Sequence, residues 1–234
     1  MKRWSSPLGS LDWVWKPGGA LFVLLVSLLV HGCSTFQSED AVTGPDYKPA
    51  NIFRSSTNLP TTIRRVAVLP VVADRHSLEL QTAGETMAPI VADELQRTGR
   101  FEVVLVTPER LAGLTGFKEL VMEREIPTNS LSRLKEAFAC EAVMFTRVTQ
   151  YRPYPPPAIG WRIKLVDCVS QNTLWAADEV FDSGEAAVQN AARRYEAGRS
   201  PSAPALSDSR AILGTPARFA RYSLNALFAT LPSR

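Results

Sequence analysis

Residues 64–72 read RRVAVLPVV, a run of β-branched and apolar side chains that predicts a buried strand. A helical pattern follows at about residues 78–97, and Gly99 is suited to the left-handed conformation that often ends a helix. Residues 101–106, FEVVLV, predict the next strand. The domain is therefore expected to open with a strand, a helix and a second strand. The apolar residues that share one face of the predicted helix are Ala83, Met87, Ile90, Val91 and Leu95.

The remainder of the chain predicts helices that flank an antiparallel meander. Thr107 and Pro108 are the residue types of a helix cap and of the first helical position. Together with the opening unit, these elements indicate a single α/β domain over residues 63–234, with a mixed β-sheet flanked by helices. The elements expected after the Thr107 helix are a helix at 131–138, strands at 142–151, 160–169 and 173–181, a helix at about 185–197 and a carboxy-terminal helix at about 216–231.

The amino terminus has the parts of a secretory signal peptide. Lys2 and Arg3 give it a basic start, and residues 20–30, ALFVLLVSLLV, form an apolar run. That run is too short to span a bilayer as a helix, which needs ~20 such residues. The small residue Gly32 and then Cys33 follow. This order resembles the lipobox of bacterial lipoproteins, in which the chain is cleaved before the cysteine and the cysteine is acylated. An ordinary signal peptide, or an anchor helix with an incidental cysteine, is the alternative.

The lipobox resemblance implies three segments. Residues 1–32 are the signal peptide, with cleavage between Gly32 and Cys33. Residues 33–62 are a flexible tether, because they are polar and contain Gly, Pro and Ser throughout. Residues 63–234 are the domain. Cys33 would carry the lipid, such as palmitate, that holds the protein in a membrane. In the enterobacterial sorting pattern, Asp after the cysteine marks inner-membrane retention. Ser34 therefore indicates the outer membrane, with the domain on its periplasmic face.

The charge balance argues against nucleic-acid binding. The full chain has a formal net charge of +3, but the signal peptide holds three basic residues and one acidic residue. The mature chain would keep 23 Lys+Arg against 22 Asp+Glu. A nucleic-acid-binding surface needs a basic patch that survives processing, and this near-neutral balance does not indicate one.

Two cysteines, Cys140 and Cys168, remain after acylation of Cys33. The oxidising periplasm permits a disulfide between them. A hairpin loop centred near Pro156 would instead place Cys168 opposite Met144, and both cysteines would then be small core residues. The sequence leaves both outcomes open.

The opening RRVAVLPV and the helix end ELQRTGRFEVV resemble the TolB amino-terminal domain. They also resemble the curli-export lipoproteins (CsgG type) and the activator lipoproteins of penicillin-binding proteins (LpoB type). The segments CEAVMFTRV and IKLVDCVSQNTLW continue the pattern, so the resemblance covers residues 64–181 and the carboxy-terminal helix. It implies an envelope lipoprotein of this fold. Members of the group differ in function, as export pores, synthase activators or assembly factors.

No sequence motif indicates catalysis, a metal site or a cofactor. His76 is the only histidine of the mature chain, and no G-x-S-x-G motif presents a serine to it. The sequence lacks H-E-x-x-H, C-x-x-C, a Walker A motif and G-x-G-x-x-G. We therefore expect a protein that is not an enzyme, with no catalytic residue, no metal ligand, no cofactor and no small-molecule substrate.

Two features could serve binding to a partner. Residues 151–161, YRPYPPPAIGW, combine prolines that preset an extended backbone with Tyr151, Tyr154 and Trp161, whose rings offer large contact areas. The alternative is that these aromatics fold back onto the domain. A second candidate is a basic carboxy-terminal region, which could face anionic lipid or an acidic partner or could be an ordinary solvated surface. Its residues are Arg193, Arg194, Arg199, Arg210, Arg218 and Arg221.

Together, these features predict a lipid-anchored outer-membrane protein that acts as a non-catalytic binding or assembly module. Its expected partners are other envelope proteins or further copies of itself. The alternative is a subunit of a CsgG-like oligomeric export assembly. That alternative needs a membrane-spanning hairpin, and Arg147, Arg162 and Lys164 in the predicted hairpin disfavour it because burying these charges in lipid is costly.

Overall fold

The computed structural model describes residues 44–73, 77–123, 126–127, 129–199 and 211–234. Within them the chain forms seven strands, five α-helices and a short 3-10 helix at Ala211–Gly214. The strands are β1 Ile52–Arg54, β2 Arg65–Val68, β3 Val72–Ala73, β4 Glu102–Leu105, β5 Ala142–Arg152, β6 Ala158–Asp167 and β7 Thr173–Asp182. The helices are α1 Leu78–Arg97, α2 Pro108–Thr115, α3 Ser130–Phe138, α4 Ala186–Arg199 and α5 Pro216–Phe228.

The seven strands belong to one mixed sheet in the order β1-β7-β6-β5-β2-β4, and β3 pairs with the later part of β5. β2 runs parallel to both β4 and β5, while β5, β6 and β7 form an antiparallel meander. Parallel neighbours need crossover connections, and α1 provides the one between β2 and β4. The helices α2 and α3 lie in the connection from β4 to β5, the two strands that flank β2 in the sheet. The predicted α/β class, with its strand–helix–strand opening and meander, is confirmed.

Helices cover the sheet on both faces. Alternate side chains of a strand point to opposite faces. Accordingly, Met144 and Val148 of β5 belong to a larger hydrophobic cluster, and Val143 and Phe145 belong to a smaller one. Helices α1, α4 and α5 contribute to the larger cluster, and α2 and α3 contribute to the smaller.

Helix ends agree with the local sequence signals. The Ser77 side chain accepts a hydrogen bond from the Leu80 amide at the start of α1. Gly99 follows its end with a φ of 65°. The Thr107 side chain caps α2 in the same way, and that helix ends at Gly116, whose φ is 84°. Because these signals act within a few residues, the bounds of α1 match the predicted bounds.

Residues 44–62 differ from the predicted flexible tether. β1 lies within them and pairs with the edge strand β7 of the meander. Leu59 is buried, and the Tyr47 ring meets that of Phe181 edge-on at a centroid distance of 5.1 Å. The apolar residues of this segment are too widely spaced to show a period. They order because the free edge of β7 offers backbone partners, so the ordered domain begins before residue 63.

The β5–β6 hairpin also has a different register from the predicted one. Met144 faces Leu165, and the amide of Cys168 donates to the carbonyl of Glu141 at 2.9 Å. The predicted pairing of Cys168 with Met144, from a loop centred near Pro156, is therefore wrong. The observed register differs from the predicted one by three residues. This is because the turn is centred earlier in the chain and a β-bulge interrupts β5.

The bulge is built around a glycine. Val148 pairs with Trp161 and Gln150 pairs with Gly160, which leaves Thr149 without an opposite residue. A Cβ at Gly160 would collide with the hydroxyl of Thr149 and lie 3.1 Å from the Gln150 amide nitrogen. Glycine at this position thus permits the close approach of the two strands.

Candidate binding surfaces

The three aromatics of the predicted binding loop have different environments. Trp161 is 0% exposed and belongs to the larger hydrophobic cluster, where its indole N–H donates to the Ser223 hydroxyl at 2.8 Å. Tyr151 is half-buried against the same cluster, and burial raises the pKa of its hydroxyl. Tyr154 is 72% exposed. For Trp161 the alternative therefore holds: its ring folds back onto the domain, because the alternation of β6 turns it inward.

The tip of the β5–β6 hairpin is held to the domain around Tyr154. Arg152 donates to the Pro156 carbonyl at 2.6 Å and forms an ion pair with Asp182 at 2.7 Å. The amide of Ser183 donates to the carbonyl of Pro157. These bonds fix both sides of the tip, so it presents one exposed aromatic ring from a braced loop.

A cavity of about 620 Å³ opens where β2 and β4 end, between α1 and the start of α2. α/β sheets commonly bind ligands beyond the carboxyl ends of their parallel strands. We call this cavity the edge groove. Its apolar lining includes Val71, Ala88, Pro89, Leu105, Val106 and Pro108. Its charged lining consists of Glu85, Glu109, Lys118 and Glu119.

Local sequence explains the walls of the edge groove. Gly84 allows α1 to approach the chain at β3, since a Cβ there would lie 3.2 Å from the Cβ of Ala73. Thr107 and Pro108 turn the chain into α2 immediately after β4. With three glutamates against one lysine, the groove is acidic and suits a ligand with basic groups. No local pattern in the sequence indicates this site, because its walls come from separate elements.

The sheet face that carries Arg162 is polar and internally paired. Arg162 donates to Asp178 at 2.7 Å and to Glu123 at 2.9 Å, and Arg147 lies 3.4 Å from the second Glu123 oxygen. Burial alone would raise the pKa of Glu123, but the Arg162 hydrogen bond and the Arg147 charge hold it below its ordinary value. The hairpin arginines that stood out in the sequence therefore stabilise the sheet.

Four arginines of the carboxy-terminal region are also engaged within the domain, whereas the buried Nε of Arg193 has no hydrogen-bond partner among the described residues. Arg194 pairs with Asp46 at 3.1 Å, Arg218 with Glu196 at 3.0 Å and Arg221 with Asp93 at 3.2 Å. The guanidinium of Arg199 lies over the Tyr195 ring at 5.4 Å. Arg210 lies outside the described residues. The pairing favours an ordinary protein surface over a lipid-binding patch.

The histidine considered for catalysis, His76, lies outside the described residues, as does the neighbouring Asp74. In the described parts of the chain, no cluster of three or more His, Cys, Asp or Glu side chains could hold a metal ion. The helices found there are all too short or too polar to cross a bilayer.

The topology brings three features to one end of the sheet. Four strands finish there: β2, β4, β5 and β7. We call this end of the sheet the carboxyl end. It carries the edge groove and the Tyr154 tip. The described chain also begins near it, because the Tyr47 hydroxyl donates to the Val180 carbonyl at the end of β7. Burial and the Glu179 carboxylate raise the pKa of Tyr47.

No protein-family model matches the sequence, and no curated protein matches it. Among solved structures, the chain is similar to the PelC dodecamer from Paraburkholderia phytofirmans, with 14% identity and a TM-score of 0.43 over 78% of this chain and 98% of that one. The LpoB C-terminal domain from Salmonella enterica is 15% identical, with a TM-score of 0.33 over 51% of this chain and 82% of that one.

TolB from Acinetobacter baumannii is 18% identical, with a TM-score of 0.28 over 67% of this chain and 31% of that one. The resemblance to the TolB, CsgG and LpoB groups stays a prediction from the sequence. Values this low assign no function to the chain.

Proposed function

We propose that this chain is an outer-membrane lipoprotein that faces the periplasm and acts as a non-catalytic binding module for envelope proteins. The observation that carries the proposal is the position of Cys33, directly after an apolar run and the small residue Gly32. A basic start, a short apolar core and a small residue before the cleavage site mark an exported chain. The acylated cysteine then keeps the domain at the membrane.

The distance between the anchor and the domain supports a membrane-proximal role. Gly44, the first described residue, is eleven residues beyond Cys33. A fully extended chain of that length reaches at most about 40 Å. The described chain begins near the carboxyl end of the sheet, and its first residue can lie no farther than this from the lipid anchor. The edge groove and the Tyr154 tip lie at the same end, so partners would be engaged close to the membrane.

The chemistry of the carboxyl end indicates the kind of partner segment that it would bind. The edge groove has an apolar lining and three glutamates, which suits a segment that carries both apolar and basic side chains. Tyr154 adds an exposed ring with a polar tip, a residue type that is enriched in protein interfaces. Tyr154 lies outside the two hydrophobic clusters, so its replacement should leave the fold unchanged.

Replacing Cys33 by alanine is expected to abolish acylation, because the lipid has no other attachment point in the lipobox. The measurement is incorporation of a palmitate analogue, together with the mass of the amino-terminal peptide from isolated outer membranes. Cys140→Ala is the matched control and should be labelled like the original chain. Ser34→Asp should move the protein to the inner membrane. A labelled Cys33→Ala chain, or an unmodified mature terminus in the original chain, would contradict the lipoprotein proposal.

A photo-crosslinking amino acid at Leu105 or Tyr154 is expected to trap an envelope protein in intact cells. The same group at Val169 is the control, because Val169 is 70% exposed but follows β6 at the opposite end of the sheet. Adducts should be several-fold stronger at the two carboxyl-end positions. Adducts at Val169 alone would refute this binding surface. Adducts that contain only further copies of this chain would support the export-assembly alternative.

A further inference from the structure

Cys140 and Cys168 lie together at the end of the sheet opposite the edge groove. Cys140 occupies the short connection between α3 and β5, and Cys168 is the first residue after β6. Both are almost completely buried in the smaller hydrophobic cluster, at 1% and 3% exposure. Both are free thiols in the structure, and the Cys140 thiol donates to the Leu134 carbonyl at 3.6 Å. Each cysteine is close enough to the other to shift its pKa. They are thus neighbours in space, although the sequence-based register had separated them.

The backbone brings the two cysteines close together. The Cys168 amide donates to the carbonyl of Glu141, the residue next to Cys140, at 2.9 Å. Residues opposite each other in antiparallel strands have Cα atoms ~4.5–5.5 Å apart, and Cys140 is one residue removed from the position opposite Cys168. A disulfide spans Cα distances of up to about 6.8 Å. The proximity of the thiols has a direct electrostatic consequence. The interaction with Cys168 lowers the pKa of Cys140, and the interaction with Cys140, together with burial, raises the pKa of Cys168.

We propose that Cys140 and Cys168 form a structural disulfide in the exported protein. The proposal rests on the envelope location proposed above, because an oxidising compartment supplies the oxidant. Thiols that are buried in a packed core do not react with oxidants in solution, so the disulfide bond forms while the chain is folding. It would tie the entry of β5 to the exit of β6 and enclose the whole central hairpin.

The oxidant is an oxidised dithiol protein of the thiol–disulfide exchange class. One cysteine of this chain attacks its disulfide as the thiolate, forming a mixed disulfide and releasing one thiol of the oxidant. The second cysteine then attacks the sulfur of the first as its thiolate, and the second thiol of the oxidant leaves. Two thiols of this chain are oxidised to one disulfide, and one disulfide of the oxidant is reduced to two thiols.

The test counts thiols in the full chain extracted from membranes, denatured in the presence of a maleimide reagent with or without prior reduction. We expect no labelled thiol at Cys140 or Cys168 before reduction and labelling of both afterwards. Peptide mapping of the unreduced sample should show the two cysteine peptides joined. Labelling of both cysteines without reduction would overturn the proposal.

A second measurement separates this proposal from the proposed location. The same chain is refolded in a glutathione redox buffer, where its compartment in the cell is irrelevant. Loss of both thiols supports the disulfide even if fractionation places the protein elsewhere, and two persisting thiols overturn it. The structural role predicts that reduction lowers the unfolding midpoint by about 10 °C. Cys168→Ala, which cannot form the bond, should show no such shift on reduction. An unchanged midpoint in the original chain would overturn the structural role.

Discussion

Replacing Trp161 by alanine is expected to lower the free energy of unfolding by about 3–5 kcal/mol, the usual cost of removing a large aromatic side chain from a core. Trp161 is 0% exposed, within the larger hydrophobic cluster. Its indole N–H donates to the Ser223 hydroxyl, which in turn donates to the Ala220 carbonyl at 2.9 Å. The substitution would leave a cavity between β6 and α5. Urea unfolding of the mature domain measures the effect. The unfolding is monitored by far-UV circular dichroism, because that backbone signal does not depend on the replaced tryptophan.

Two further variants distinguish packing from partner binding at this site. Tyr154→Ala is the control, because its side chain is 72% exposed, and its unfolding free energy should change by no more than about 0.5 kcal/mol. Trp161→Phe keeps most of the ring volume, so its loss of unfolding free energy should lie between those of the Trp161→Ala and Tyr154→Ala chains. A Trp161→Ala chain with unchanged stability and lost partner adducts would instead support the original interpretation of Trp161 as a binding residue.

The inward position of Trp161 could have been predicted from the sequence. In the run WRIKLV the apolar residues alternate with Arg162 and Lys164, and a period of two assigns Trp161 to the same face as Ile163 and Leu165. The prolines and tyrosines nearby suggested a single aromatic loop and obscured that alternation. Strand bounds fix which aromatics belong to a loop, and β6 begins at Ala158, two residues earlier than predicted.

Local signals predicted the elements well, because caps and periodicities act over a few residues. The Thr107 cap and the left-handed Gly99 are of this kind. The pairing of β1 with β7 joins residues that are more than 100 positions apart, and no local pattern reports it. The same reason explains why the edge groove was missed, since α1, the end of β4 and the start of α2 meet only in the folded domain.

A buried ion pair between α1 and α5 illustrates this dependence on distant residues most strongly. The Glu94 side chain is 0% exposed and its carboxylate accepts a hydrogen bond from Arg221 at 3.1 Å. Arg221 also contacts Asp93 at 3.2 Å, and Arg97 lies 3.6 Å from Glu94. Burial alone would lower the pKa of Arg221, but the hydrogen bonds to Glu94 and Asp93 raise it. In the sequence, Arg221 looked like one member of a basic surface.

Arg221→Ala is therefore expected to cost about 3–5 kcal/mol of unfolding free energy, because Glu94 would remain buried without its main partner. Replacing Glu94 and Arg221 together by methionine should cost much less, since no buried carboxylate would then be left without its partner. Glu102→Ala is the matched control: its ion pair with Arg65 is solvent-exposed and should contribute little to stability. Urea unfolding midpoints of the four chains give the comparison. If Arg221→Ala and Glu102→Ala cost the same, the pair at Glu94 would contribute no more than a surface pair. The α1–α5 contact would then depend on apolar packing alone.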